Sequence, residues 1–124
     1  MTTLDDETVI VTGASRGLGA SMAKRFAREG ANVVLTARSE ADLEAVAEDA
    51  DGETLVAPAD ATDEDAVAGV VEATVAEYGT VSGLVNNAGI GQLTMYDDLR
   101  PLHEVDADDF REILEVNVTG VFLF

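Results

Sequence analysis

The sequence has no cysteine, which removes disulfides, thiolate metal sites and a cysteine nucleophile together. No run approaches the roughly 20 apolar residues of a membrane span. The N-terminal "MTTLDDETVIV" carries acid where a secretion signal carries base, so a cytoplasmic location is expected. Base is scarce throughout: 7 cationic residues face 25 acids, for a net charge of −18. Such a surface repels nucleic acid and anionic membranes, which excludes both as partners. Lys24 is the only lysine, while Ala, Val and Thr are abundant. That composition resembles proteins of salt-loving microbes, in which high ionic strength screens self-repulsion. The plainer alternative is an acidic soluble protein of an ordinary organism. No repeat, low-complexity tract or linker interrupts the chain, no metal site is expected, and 124 residues make a single domain, 1–124.

What is present is enough apolar residue for a core, 47% of the chain. Apolar β-rich runs alternate with helical periodicity, the pattern of a parallel sheet with crossover helices. "TVIVTG" (8–13) reads as a strand buried on both faces. A helix over 17–29 follows, with Leu18, Met22 and Phe26 on one face and Gly30 as its stop. "ANVVLTA" (31–37) is a second strand, and Ser39, with Asp42 in capping-box spacing, opens a helix over about 40–50. "ETLVAPA" (53–59) is a weaker third strand. Thr62 and Asp65 suggest another capping box, before a helix (63–78) with Val67, Val71, Val75 and Tyr78 on one stripe and Gly79 as its stop. "VSGLVNNAG" (81–89) is a fourth strand running into a glycine loop. Residues 90–105 lack periodicity and read as loop, and Asp106 caps a last helix from about 107. The expected fold is α/β, a Rossmann-like doubly wound sheet of four parallel strands in the order 3-2-1-4.

"TGASRGLGA" (12–20) sets Gly13, Gly17 and Gly19 between the first strand and the first helix. A helix start presents unpaired N–H groups at the positive end of its dipole. Glycines there allow a sharp turn, close approach of a pyrophosphate, and tight helix–strand contact. A tight turn without a ligand explains the same residues, but the position after a first strand favours a dinucleotide. No Gly-Lys-Ser/Thr follows, so a triphosphatase loop is excluded.

With "TGASRGLG", Asp60 after the third strand, "NNAG" at 86–89 and "EVNVTG" in the last helix, the chain resembles the short-chain dehydrogenase/reductase family over essentially its whole length. The resemblance implies hydride transfer between a nicotinamide cofactor and a carbonyl or alcohol carbon. It places Gly13, Ser15, Arg16, Gly17, Leu18 and Gly19 in the cofactor loop. Asp60 and Ala61 would lie beside the adenine, and Asn87, Ala88 and Gly89 along the adenosine ribose.

The choice of cofactor has a physical reading. An acid at the end of the second strand meets a free ribose 2′-hydroxyl, but here that place holds Ala37, followed by Arg38. Arg38 can pair with a 2′-phosphate, and the resemblance implies that Arg16, in the glycine loop, is a second base near it. Two solvated surface arginines are the alternative; the expectation is NADP(H) over NAD(H).

In the last helix Phe110, Ile113, Leu114, Val121 and Phe124 share a face, and Asn117 falls within it while Glu112 and Glu115 point away. A buried amide needs partners, and a bond to neighbouring backbone would suffice. The resemblance implies instead a catalytic part for Asn117, holding a water in a proton relay to a tyrosine. His103, the lone histidine, has no assigned role. The family's serine and Tyr-x-x-x-Lys have no match: four residues beyond Tyr78 and Tyr96 stand Ser82 and Arg100. The expectation is therefore the N-terminal portion of an NADP-dependent oxidoreductase, inactive alone, with the chain's apolar end and open sheet edge suggesting truncation. A homo-oligomer is possible, and a stand-alone nucleotide-binding or interaction module is the alternative.

Overall fold

The computed structural model describes residues 3–124. Its strands are β1 (Thr8–Thr12), β2 (Asn32–Thr36), β3 (Thr54–Val56) and β4 (Gly83–Val85), and all three pairings are parallel, in the order β3-β2-β1-β4. Thr8 stands opposite Asn32 and Val9 opposite both Val33 and Gly83. Helices α1 (Gly17–Arg28), α2 (Glu40–Glu48) and α3 (Glu64–Tyr78) make the crossovers. Beyond β4 come a short α4 (Gln92–Met95), a 3₁₀ turn (Leu102–Glu104), α5 (Ala107–Leu114), a π-helical turn (Glu115–Thr119) and α6 (Gly120–Leu123).

The sheet is doubly wound because its strands alternate between two apolar clusters. Val11, Val33 and Leu35 meet Ala20, Ala23 and Ala27 of α1 and Leu43 and Val46 of α2. Ile10 and Val34 face the other way, toward Val70 of α3 and the partly buried Phe124. Burial on both faces is why β1 and β2 are continuously apolar rather than alternating.

Several local expectations are corrected. In α1 the buried side is Gly19, Ala20, Ala23 and Ala27, and Leu18 is largely exposed; small residues let the helix lie close on the sheet. In α3 the buried residues are Val67, Val70 and Thr74, whereas Val71 and Val75 are exposed. The cap of α3 is Asp63, whose carboxylate accepts from Ala66 N at 3.1 Å, not Thr62, whose hydroxyl is already donated to Asp60. The segment 90–105 is not all loop: Thr94 Oγ1 accepts from Gly91 N at the start of α4. Ser39 and Asp106 do cap α2 and α5, accepting from Asp42 N and Asp108 N. Gly79 ends α3 in the left-handed conformation, φ 81°.

Candidate functional site

Every strand delivers its C-terminal end to one edge of the sheet, and the strand order reverses direction between β1 and β4. A crevice opens at such a switch point in an open α/β sheet. Here it is a cleft of about 1080 Å³. The glycine loop after β1 forms one lip. Gly13 and Gly17 both adopt left-handed conformations, φ 62° and 57°. A Cβ on Gly17 would meet nothing within 4 Å, so its backbone is bare to the cleft. Gly19 is buried, and a Cβ there would stand against the Gly13 carbonyl and 2.5 Å from Asn87 Nδ2.

Helix capping singles out the same lip. α2, α3 and α5 each begin on a residue whose side chain accepts from the first turn. α1 begins on Arg16, which makes no such bond, and its first turn holds no acid. Its leading N–H groups are left for an anion, where the helix dipole favours one.

The second lip is "NNAG", fastened to the first by Thr12. The buried Thr12 hydroxyl accepts from Asn87 N and Ala88 N, both at 2.9 Å, and donates to Val85 O at 3.3 Å. Asn87 returns the contact, its Nδ2 donating to Thr12 O at 3.3 Å and Gly13 O at 3.2 Å. One threonine and one asparagine thus lock the two loops into a single floor. The sign of this part in the sequence is a hydroxyl at the C-terminal end of a mostly apolar buried strand.

Of the residues expected to bind cofactor, Gly13, Ser15, Arg16, Gly17, Arg38, Asp60, Ala61, Asn87, Ala88 and Gly89 line this cleft together. Leu18 and Gly19 do not: the first faces solvent and the second lies beneath the loop. The cleft also takes residues the sequence did not point to, Asp42 from α2 and Arg111 from α5. Glu112 and Glu115, turned away from the apolar stripe, point into it as well. Three guanidiniums, of Arg16, Arg38 and Arg111, therefore share the cleft with four carboxylates, of Asp42, Asp60, Glu112 and Glu115.

Asp60 is held by its neighbour: its Oδ1 accepts from Thr62 N at 2.9 Å and Thr62 Oγ1 at 2.7 Å. Those bonds, more than the nearby Arg38 charge, hold its carboxyl below the usual range. The carboxylate stays anionic with Oδ2 left for a donor.

Asn117 sits in the middle of the π-helical turn, a distortion common at functional sites. It is exposed rather than buried, because Phe110, Leu114 and Val121 of its stripe are themselves uncovered. Its amide clasps the main chain of Ile90 from both sides. Oδ1 accepts from Ile90 N at 2.8 Å and Nδ2 donates to Ile90 O at 2.7 Å. Asn117 Oδ1 also stands 3.3 Å from where a Cβ on Gly89 would be, so a side chain at 89 would press on that clasp.

Both tyrosine phenols are held above their ordinary value. Tyr78 lies where α3 ends, and burial together with Glu53 pushes its phenol up to about 12. Tyr96 donates its hydroxyl to Asp109, which raises its pKa, while Arg100 lies over its ring at 3.8 Å. Lys24 is on α1, paired with Asp49 at 2.9 Å. His103 is exposed, 3.6 Å from Glu104. Among the described residues no group of His, Cys, Asp and Glu could hold a metal ion, and no helix is long and apolar enough to cross a membrane.

Comparison with known proteins agrees with this geometry. Residues 7–124 match the family model described as short chain dehydrogenase. The chain is 38% identical over 120 residues to a cis-4-hydroxycyclohexanecarboxylate dehydrogenase of Sinomonas cyclohexanicum, covering 95% of this chain and 46% of that protein. A 3-ketoacyl-(acyl-carrier-protein) reductase from Brucella melitensis, solved with NADH, superimposes with a TM-score of 0.90 at 40% identity, over 98% of this chain and 48% of that one. A metagenomic short-chain oxidoreductase solved with NADP gives 0.86 at 36% identity, over 97% of this chain and 53% of that one. The chain spans about half the length of the relatives it matches.

Proposed function

The chain belongs to the short-chain dehydrogenase family, and from that premise we propose that residues 1–124 form the cofactor-binding part of an NADP(H)-dependent oxidoreductase. The reaction is hydride transfer between the nicotinamide ring and a carbonyl or alcohol carbon of a small molecule. The observation that carries the cofactor choice is Arg16 and Arg38 lining one cleft with Ala37, where an acid would meet a free 2′-hydroxyl. A guanidinium pairs with a phosphate through two hydrogen bonds, and none of the ion pairs among the described residues engages either arginine.

The residues present fit a dinucleotide. The bare backbone at Gly13 and Gly17 and the uncapped start of α1 suit a pyrophosphate. Asp60 Oδ2 suits the adenine amino group, with Ala61 beside the ring. Ala88 and Gly89 border the adenosine ribose, on the floor that Thr12 and Asn87 fasten. When bound, the nicotinamide supplies or accepts the hydride. Asn117 fixes the carbonyl of Ile90 at the cleft edge, which suits a water in a proton relay. Within these residues no tyrosine has a lysine four positions on, and both tyrosines have raised pKa values, so the 124-residue chain is expected to bind cofactor without turning over.

Fluorescence titration of the chain with NADPH and NADH tests this. Tighter NADPH binding that Arg38→Ala reduces to the level of NADH is expected; equal affinities, or a preference that survives Arg38→Ala, overturns the cofactor assignment. Measured carbonyl reduction by the pure 124-residue chain refutes the expectation that it binds cofactor without turning over.

A further inference from the structure

The cleft lined by Arg16 and Arg38 is also lined by an acid of the neighbouring helix, Asp42. Asp42 is the third residue of α2, and its backbone N–H is bound by Ser39 Oγ at 3.4 Å. That bond fixes the main chain of the first turn, which sets Asp42 one turn along from Arg38 and Ser39, two further residues of the cleft lining. Among the described residues Asp42 makes no ion pair, and neither does Arg38. The acid is not neutralised by an ion pair with either of the bases that line the cleft with it.

Resting on the NADP(H) reading, we propose that Asp42 is a specificity-determining residue that opposes the 2′-phosphate. It offsets part of what Arg16 and Arg38 contribute, narrowing the preference for the phosphorylated cofactor. A ligand with a 2′-phosphate brings about two negative charges toward Asp42, whereas one with a 2′-hydroxyl brings none. The repulsion therefore acts on one cofactor and not the other. On the same reading the 5′-phosphate common to both would meet the glycine loop at the uncapped start of α1. Because the mouth is open to solvent, the effect is screened by salt, nearly completely at ~1 M, where the Debye length is about 3 Å.

The plainer account of Asp42 is an acid in the first turn of a helix, favourable to the dipole. The two accounts separate by experiment. The chain is titrated calorimetrically with adenosine 2′,5′-bisphosphate and with 5′-AMP, at low salt and in 1 M KCl. For Asp42→Asn, affinity for the bisphosphate is expected to rise about three- to tenfold at low salt, with 5′-AMP unchanged within about twofold and the gain largely gone in 1 M KCl. Asp42→Ser, which suits the first turn of a helix, guards against a folding defect in Asp42→Asn and gives the same selective gain. Equal shifts for both ligands, no shift, or a change in melting temperature alone overturns the proposal. Arg38→Ala is run alongside. If it leaves bisphosphate and 5′-AMP affinities in their original ratio, the 2′-phosphate subsite itself is absent and both readings fall. If it removes the preference while Asp42→Asn does nothing selective, only the inference about Asp42 falls.

Discussion

Replacing Thr12 by valine keeps the shape of a buried side chain and removes its oxygen. Two backbone donors, Asn87 N and Ala88 N, then lose an acceptor 2.9 Å away, and Val85 O loses a donor. A buried polar group left unpaired costs about 1–3 kcal/mol. The cleft side of the joint admits some water, so the lower half of that range applies to each N–H, about 2–4 kcal/mol for the pair. That is a large part of the ~5–15 kcal/mol typical of a domain, and at about 3–5 °C per kcal/mol it lowers the melting temperature by about 6–20 °C. Thr12→Ser is the control: it keeps the hydroxyl and loses one methyl, at a cost of about 1 kcal/mol. The assay is urea denaturation followed by circular dichroism at fixed high salt, with nucleotide titration of each variant. Valine should be clearly worse than serine on both readouts. A Thr12→Val protein as stable as Thr12→Ser, or one that binds nucleotide unchanged, would refute the view that this hydroxyl fastens the two lips together.

Other outcomes follow from the same geometry. Gly19→Ala forces a Cβ against the Gly13 carbonyl and Asn87 and should cost about 1–3 kcal/mol by overpacking along with most nucleotide affinity. Gly17→Ala, with open space before it, should cost only the left-handed penalty of about 1–2 kcal/mol; denaturation of the two side by side tests the difference, and a larger loss for Gly17→Ala than for Gly19→Ala contradicts it. Tyr78, raised from 10.0 to about 12 in the fold, binds its proton more tightly folded than unfolded. Its contribution is therefore fully present below pH 10 and is lost as pH rises toward 12. Tyr78→Phe should flatten that alkaline loss in a pH series of melting temperatures, and an unchanged slope contradicts the assignment.

The strand order was legible because a parallel sheet buried on both faces leaves continuous apolar runs, and because glycines mark where those runs turn toward a ligand. Helix faces were less so. In α1 the buried side consists of alanines and a glycine, which carry little weight in a hydrophobic pattern, while the bulky Leu18 catches the eye and faces water. In α3 valines occur all round, so periodicity could not choose between Val70 and Val71. Asn117 stood out as a polar residue among apolar ones, yet its partner, the main chain of Ile90, has no side-chain signal at all. Asp42, Glu112 and Glu115 look like ordinary surface acids in one dimension; only the approach of α2, α5 and the π-helical turn to the sheet edge brings them to one mouth.

The bonds between Thr12 and the "NNAG" loop join residues 73 to 76 positions apart. β1 is separated from its second neighbour, β4, by three helices and two strands. Such distant partners are slow to find each other, since the intervening loop must close first. Until then β1 is an apolar strand with an open edge, a template for pairing between nascent chains. The acids Asp5, Asp6 and Glu7 stand immediately before it, in the place where gatekeeper charges discourage such pairing. The cleft is in this sense the last part of the molecule to become whole, and a nucleotide bound there as proposed would report that all four strands have reached their places.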